Sequence, residues 1–223
     1  MKKRFQRTGE KEMAEEKFDF DKKAATWDEN PGRVQLGNDV AAAILDEKIL
    51  TPEMDVLEFG CGTGLLTLRL SPLVRSVTAV DGSQGMLSVI TAKIEAQGIK
   101  NIHTQLLDPS RGGILRGGYH AVISSMALHH VKETASLVEQ FYNVTLPGGH
   151  LILADLDPDE GKFHGENPTV FHDGFDRKML GDILTRAGYS SVRDKTAAVV
   201  KRPASDGSVQ SFSVFLITCR KEG

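Results

Sequence analysis

The sequence predicts an α/β protein: a doubly wound, mostly parallel sheet of seven strands with helices on both faces. Three observations predict it. From Asp55 to Ala187 short apolar runs alternate with helical stretches, the pattern of βαβ units. The first of those strands runs straight into closely spaced glycines that open a helix. Two long β-rich stretches then close the chain, with the hairpin signal Asp206-Gly207 between them, which calls for a reversed strand at the sheet edge.

Each element has its own justification. Residues 1–19 are dense in charges of both signs and read as a solvated terminus. Over residues 20–50, Val34, Val40, Ala41, Ile44 and Leu45 fall near 3.6-residue spacing, with Pro31-Gly32 breaking the run just before. Thr51-Pro52 is expected to close that helix, because proline disfavours helical geometry in the residue before it. Strands are predicted at residues 55–59, 76–80, 102–107, 119–124 and 150–154. Helices are predicted at 65–73, 84–97 with Gly98 as C-cap, 132–146 stopped by Pro147-Gly148-Gly149, and 176–187 followed by Gly188. The closing strands are 190–200 and 209–219.

A chain of 223 residues, 40% hydrophobic, fits one domain that needs no disulfide or metal staple. No apolar run approaches the roughly 18–20 residues of a membrane span. The basic start Met1-Lys2-Lys3-Arg4 lacks the apolar stretch of a secretory signal. Cys61 and Cys219 form no motif, and the expected setting is cytoplasmic. A net charge of −3 argues against a nucleic-acid surface.

The strongest local signal is VLEFGCGTG, residues 56–64. Glycine admits positive φ and lets a ligand approach bare backbone. The following helix offers unpaired N–H groups, at the sheet end where α/β proteins bind ligands. The dinucleotide fingerprint G-x-G-x-x-G fits badly, because its third glycine would be Leu65 and Gly64 comes one place early. Glu58 would oppose a pyrophosphate and favour an amino group or positive centre. Asp81, 21 residues beyond Gly60, can accept hydrogen bonds from both hydroxyls of a ribose. Asp108 closes the third strand and suits an adenine amino group; Asp-Pro is also a turn signal in its own right.

Together, VLEFGCGTG, VTAVDGSQGML, LLD, HAVISSMALHHV and LPGGHLILAD resemble the successive motifs of class I S-adenosylmethionine-dependent methyltransferases. The opening FDFDKKAATWDENPGR is similar to the N-terminal lid of the small-molecule branch, whose quinone-biosynthesis members are best known. The resemblance implies sheet order 3-2-1-4-5-7-6 with strand 7 antiparallel, a helical lid over residues 1–50, and a methyltransferase domain over 51–223. It implies S-adenosyl-L-methionine as cofactor, its methionine end on Glu58, Gly60 and Gly62 and its ribose on Asp81, with Gly64 also among the cofactor-binding residues. Gly82, Ser83, Met86, Leu107 and Asp108 would then line the adenine, and the Ser124 carbonyl would meet the cofactor amino group. Two places depart from the family pattern: Pro109-Ser110-Arg111-Gly112-Gly113 follows Asp108, and Ser124-Ser125 lacks an acidic or amide residue.

A sulfonium carries an already activated methyl group, so the protein's first task is alignment. Where the acceptor must shed a proton, His129, His130 and His172 are the candidate bases, against structural roles for each. Trp27 either belongs to the lid or packs an N-terminal helix. Asp155, Asp157, Asp159 and Glu166 imitate part of a calcium loop, but Glu160 stands where glycine is needed, so no metal is expected. No Asn-Pro-Pro-Tyr-type tetrad follows strand four and no Pro-Cys pair is present, which disfavours nucleobase acceptors. The expectation is methyl transfer to O, N or C of a small organic acceptor, with a nicotinamide-dependent oxidoreductase and a non-catalytic cofactor-binding protein as alternatives.

Overall fold

A computed structural model describes residues 19–203 and 207–223. The predicted solvated terminus thus lies almost wholly outside the described residues, as does Asp206 of the hairpin signal. The seven strands are β1 Asp55–Phe59, β2 Ser76–Asp81, β3 Ile102–Leu106, β4 Tyr119–Ser125, β5 Thr145–Leu156, β6 Tyr189–Pro203 and β7 Val209–Lys221. They form one sheet in the order β3-β2-β1-β4-β5-β7-β6. β1 pairs in parallel with β2 and β4, β2 with β3 and β4 with β5, while β7 runs antiparallel to β5 and β6.

Among the described residues six α-helices accompany it: α1 Phe20–Lys23, α2 Pro31–Asp46, α3 Thr67–Leu70, α4 Gln84–Gln97, α5 Thr134–Val144 and α6 Arg177–Ala187. The pleat divides the apolar strand residues between two cores, because successive side chains point to opposite faces. Val56, Val77, Ala79, Ala121, Ile123, Ile152 and Leu216 pack with Ile44, Leu70 and Ile90 of α2, α3 and α4. Leu57, Val80, Val122, Leu151 and Phe215 pack with Leu137, Phe141 and Leu184 of α5 and α6. Alternation therefore sets Glu58 on the α3 face of β1 and Asp155 on the α5 and α6 face of β5.

Several boundaries differ from the sequence expectation. Pro31 does not break a helix but starts one: Asn30 Oδ1 accepts from Gly32 and Arg33 N–H, and proline at the first turn forfeits no hydrogen bond. α2 ends at Asp46, before Lys48 turns left-handed, rather than at Thr51-Pro52. α5 ends at Val144, and Pro147-Gly148-Gly149 lies inside β5, where the pairing jumps from Tyr119–Thr145 to Ala121–His150. The helix predicted over 65–73 is one α turn followed by a 3₁₀ turn at Ser71–Leu73, which contains Pro72.

Candidate active site

β1 ends at Phe59, and the chain folds back over the end of β2. Gly60 and Cys61 N–H both donate to the Val80 carbonyl, at 2.8 and 3.0 Å. Gly62 N–H donates to Asp81 Oδ2 at 2.7 Å, and Ser83 N–H to Asp81 Oδ1 at 2.8 Å. Gly60, Gly62 and Gly64 have φ of +73°, +53° and +83°. They serve different ends. A Cβ on Gly60 would lie 2.2 Å from the Ala127 Cβ, and one on Gly64 2.5 Å from the Ile90 Cδ1, so packing excludes side chains there. A Cβ on Gly62 would meet nothing within 4 Å, so there the loop presents bare backbone to open space.

Two acids flank that opening. Glu58 is buried and accepts from Thr67 Oγ1 at 2.6 Å. Burial pushes its carboxyl up to about 8, against the Thr67 hydrogen bond and with help from the Asp81 charge. Burial likewise raises Asp81, although the Ser83, Gly62 and Gly82 N–H groups oppose it. A cation brought to Glu58 would reverse the cost of its ionisation, as the amino end of an amino acid requires. Gly82 packs beside Asp108, and a Cβ there would sit 3.6 Å from the Asp108 Cβ. Leu107 N–H donates to the Asp81 carbonyl at 3.0 Å, so Asp81, Gly82, Leu107 and Asp108 share one rim. Met86 is buried but belongs to neither core. Ser124, opposite Phe59 in the β1–β4 register, is buried with its Oγ unpartnered. The Cys61 thiol is raised well above its usual range by burial and by Glu58, so it is no nucleophile.

The N-terminal segment clasps this rim. Asp21 Oδ1 accepts from Ser83 Oγ and Gly85 N–H at 2.5 and 2.7 Å, which holds Asp21 below the usual carboxylate range. Asp28 accepts from Thr63 Oγ1 at 2.6 Å and pairs with Lys93. Between these anchors Trp27 packs on Phe20, 5.9 Å between ring centres, with the Arg33 guanidinium 3.8 Å above the Trp27 ring. Phe20 in turn sets its edge on His130 at 5.1 Å.

His130 belongs to a cluster of three histidines. His129 and His130 lie 4.2 Å apart and His129 and His164 4.5 Å apart, between ring centres. Asp155, buried in β5, accepts from Leu128 N–H at 3.0 Å, His129 N–H at 3.3 Å, Leu156 N–H at 2.8 Å and His129 Nδ1 at 2.7 Å. Burial opposes its ionisation, yet the His129 ring and these donors bring it below the ordinary carboxylate range. His129 Nε2 is buried without a partner. His130 Nδ1 lies 2.8 Å from the Thr169 carbonyl, and burial, then the neighbouring His129, lowers His130 to about 4. The same causes lower His164 to about 3. His172 stands apart: its Nε2 lies 3.0 Å from the Val131 carbonyl and 3.1 Å from Thr134 Oγ1, pinning the start of α5.

Of the residues that the sequence singled out, Glu58, Asp81, Gly82, Leu107 and Asp108 come together around the glycine loop. His129 and His130 come together beside it, through Ala127 against Gly60. His164, Asp21, Asp28 and Lys93 escaped the sequence reading, because no motif ties them to their partners. The aspartates of the calcium-like run are spent separately. Asp155 holds His129, Asp157 holds Arg177 at 2.7 Å, and Asp159 accepts from Phe163 N–H at 2.6 Å. Among the described residues no cluster of three or more His, Cys, Asp or Glu is arranged to hold a metal.

This sheet order, with its glycine loop and acidic strand ends, defines a Rossmann-like fold of the methyltransferase type. Residues 56–149 match the family model of a methyltransferase domain. The chain is 28% identical over 153 residues to the uncharacterized methyltransferase C1347.09 of Schizosaccharomyces pombe, covering 62% of this chain and 54% of that protein. It is 25% identical over 113 residues to a ubiquinone biosynthesis O-methyltransferase of Pseudomonas aeruginosa, covering 51% and 49%. The chain thus spans about half the length of the curated relatives it matches. Among solved structures, the YcgJ protein of Bacillus subtilis superimposes with a TM-score of 0.68 at 15% identity, over 82% of this chain and 98% of that one. The N-methyltransferase NodS of Bradyrhizobium japonicum, in complex with S-adenosyl-L-homocysteine, does so with 0.65 at 16%, over 88% and 90%. The chain thus shares the methyltransferase fold and matches a methyltransferase domain over residues 56–149.

Proposed function

We propose that the protein transfers a methyl group from S-adenosyl-L-methionine to a small organic acceptor. The observation that carries this reading is the bare backbone at Gly62, open to space and flanked by Glu58 and Asp81. When bound, the sulfonium supplies an activated methyl group. Glu58 meets the cofactor's amino end, Asp81 its ribose hydroxyls, and Gly82, Ser83, Met86, Leu107 and Asp108 its adenine side, with the Ser124 carbonyl beside the methionine end. The segment from residue 19 to residue 30 acts as the cover that excludes water, and α2, packed into the core, joins residues 51–223 as the transferring domain. The NodS complex with S-adenosyl-L-homocysteine supports the choice of cofactor, and the ubiquinone-pathway relative supports the small-molecule branch. Among the described residues no helix is long and apolar enough to cross a membrane. A cytoplasmic site of action follows from the reduced cysteines expected of the sequence.

Calorimetry with S-adenosyl-L-homocysteine and with NAD tests this directly. The first should bind in the micromolar range or tighter and the second not measurably; the reverse order would make the protein an oxidoreductase. A screen of small acceptors with the methyl-labelled cofactor then separates an enzyme from a binding protein.

A further inference from the structure

Two arginines at the edge of the cover carry an inference about the acceptor, which rests on the methyltransferase reading. We propose that Arg33 and Arg202 clamp an oxyanion, carboxylate or phosphate, carried by the methyl acceptor, so that the acceptor is a small organic anion.

The fold brings the two together from opposite parts of the chain. Arg33 stands in the first turn of α2 and Arg202 near the end of β6. The helix runs back along the strand. At its far end Asp46 accepts from Lys195 Nζ at 3.0 Å. Asp39, Ala42 and Ala43 then line one groove with Thr196, Ala197 and Ala198. Arg33 lies thirteen helical residues before Asp46, about 20 Å at 1.5 Å each. Arg202 lies seven strand residues beyond Lys195, about 23 Å at 3.3 Å each. The two antiparallel spans match, so both arginines come to the same end. Arg202 is lowered by partial burial and next by the Arg33 charge.

Each head is held flat and keeps donors to spare. The Arg33 guanidinium lies 3.8 Å over the Trp27 ring, and its Nη1 donates to the Trp27 carbonyl at 3.3 Å. Arg202 repeats this on Phe163, 3.6 Å over the ring, with Nη1 donating to the Phe163 carbonyl at 2.6 Å. Ring and carbonyl fix each plane, and a guanidinium has five N–H donors. Among the described residues neither head is paired with a carboxylate. Asp159, whose charge reaches Arg202, spends its own oxygens on Gly161 and Phe163 N–H. Two cations set together, partly out of water and without a counter-charge, repel one another. A bound oxyanion removes that cost, and the planar fork of arginine matches carboxylate and phosphate alike.

An arc of rings joins the clamp to the place of transfer. Trp27 packs on Phe20 and Phe20 on His130; His130 lies 5.9 Å from His164, and His164 4.8 Å from Phe163, between ring centres. Phe20 adjoins Asp21, which is fastened to Ser83 and Gly85 on the cofactor rim. His130 follows Ala127, the neighbour of Gly60. An acceptor held by its anionic end thus lies along the rings with its other end toward the glycine loop. Burial keeps His130 and His164 neutral at pH 7, at about 4 and about 3, so the arginines supply the positive charge. His164 Nε2, buried without a partner beside Phe163, is a further donor for the oxyanion.

Calorimetry on the full chain tests this with four probes: benzoate, phenyl phosphate, neutral benzamide and inorganic phosphate, each with and without S-adenosyl-L-homocysteine. One aromatic anion at least should bind about 10-fold or more tighter than benzamide. The tighter of the two tells carboxylate from phosphate. Arg33→Gln and Arg202→Gln should each weaken that anion by about 10-fold or more and leave benzamide within about 3-fold. Arg202→Lys, which keeps the charge and loses the fork, should recover part of the loss. Thermal midpoints check that the variants fold, and the preference of wild type for the anion does not depend on them. Benzamide binding as tightly as both aromatic anions, none of the four probes binding, or an anion affinity unmoved in both Gln variants would overturn the proposal. So would inorganic phosphate binding as tightly as the better aromatic anion, because the pair would then hold a free ion and not a group of the acceptor. Should wild type bind the aromatic anion but not S-adenosyl-L-homocysteine, the methyltransferase reading would fall while the anion site stood.

Discussion

The glycine loop and the histidine cluster sit side by side at the carboxyl edge of the sheet, yet they are held by different kinds of bond. The loop is fixed by main-chain groups: Gly60 and Cys61 on Val80, and Gly62 on Asp81. The cluster is fixed through its own side chains by remote stretches: the Asp155 carboxylate holds the His129 ring across 26 residues and the Thr169 carbonyl holds the His130 ring across 39. A site made from backbone is tolerant of neighbouring side chains but intolerant of any Cβ in it. A site made from side chains depends on each partner singly. Substitutions in the two should therefore fail in different ways.

The sharpest test lies within the loop. Gly60→Ala should destabilise the fold by about 3 kcal/mol or more, because its Cβ would fall 2.2 Å from that of Ala127 and the residue holds a left-handed φ. Gly62→Ala carries the conformational strain alone, about 1–2 kcal/mol, with no clash. It should leave a folded protein and still reduce S-adenosyl-L-homocysteine affinity by 10²-fold or more. Thermal unfolding and calorimetry on the pair check this; equal affinity in Gly62→Ala and wild type would mean that the open face at Gly62 is not the binding face.

Asp81→Ala should weaken the same ligand by about 1–3 kcal/mol through lost hydrogen bonds to a carboxylate. It also frees Gly62 and Ser83 N–H, so Asp81→Asn, which can still accept one of them, should fall between the two. Calorimetry orders the series.

Glu58 gives a pH signature. Its folded pKa, about 8, stands above the ordinary 4.5, so the folded state holds a proton that the unfolded state has released. Between those values the stability of the free protein should fall as pH rises, by up to one proton's worth of slope. A cation bound at Glu58 would expel that proton. Ligand binding should then release up to one proton near pH 7, measurable as a dependence of calorimetric heat on buffer. Glu58→Gln should abolish both effects.

These contrasts explain what the sequence could and could not disclose. VLEFGCGTG announced the loop because every part of it lies within nine residues, and Asp81 and Asp108 each end a strand that alternation reveals. The sheet order followed from the family motifs and the closing hairpin. His164 was invisible because its role depends on where the 157–175 loop folds, and nothing local records that. Thr67 looked like any helix residue until α3 set it over Glu58. Pro147-Gly148-Gly149 misled because it resembles a helix stop, whereas it forms a bulge in a strand that has already begun.

The smallest effect concerns the clasp between the two regions. Asp28 joins the cover to Thr63 of the loop and to Lys93 of α4, and Asp21 joins it to Ser83 and Gly85. Asp28 and Lys93 are about 31% and 24% exposed, so their pairing contributes no more than about 1 kcal/mol. Asp28→Ala should therefore hardly move the thermal midpoint. The cover sets Phe20 on His130 and Trp27 on Phe20, but adds no residue to either core, its buried Ala24 lying outside both. Loosening it should raise amide exchange across residues 19–30 and leave β1 and β4 protected. Exchange measured with and without S-adenosyl-L-homocysteine would show whether ligand restores the clasp, since an occupied loop fixes Thr63 from the other side. Were β1 and β4 to exchange faster as well, the cover would be part of the core and not a closure over it.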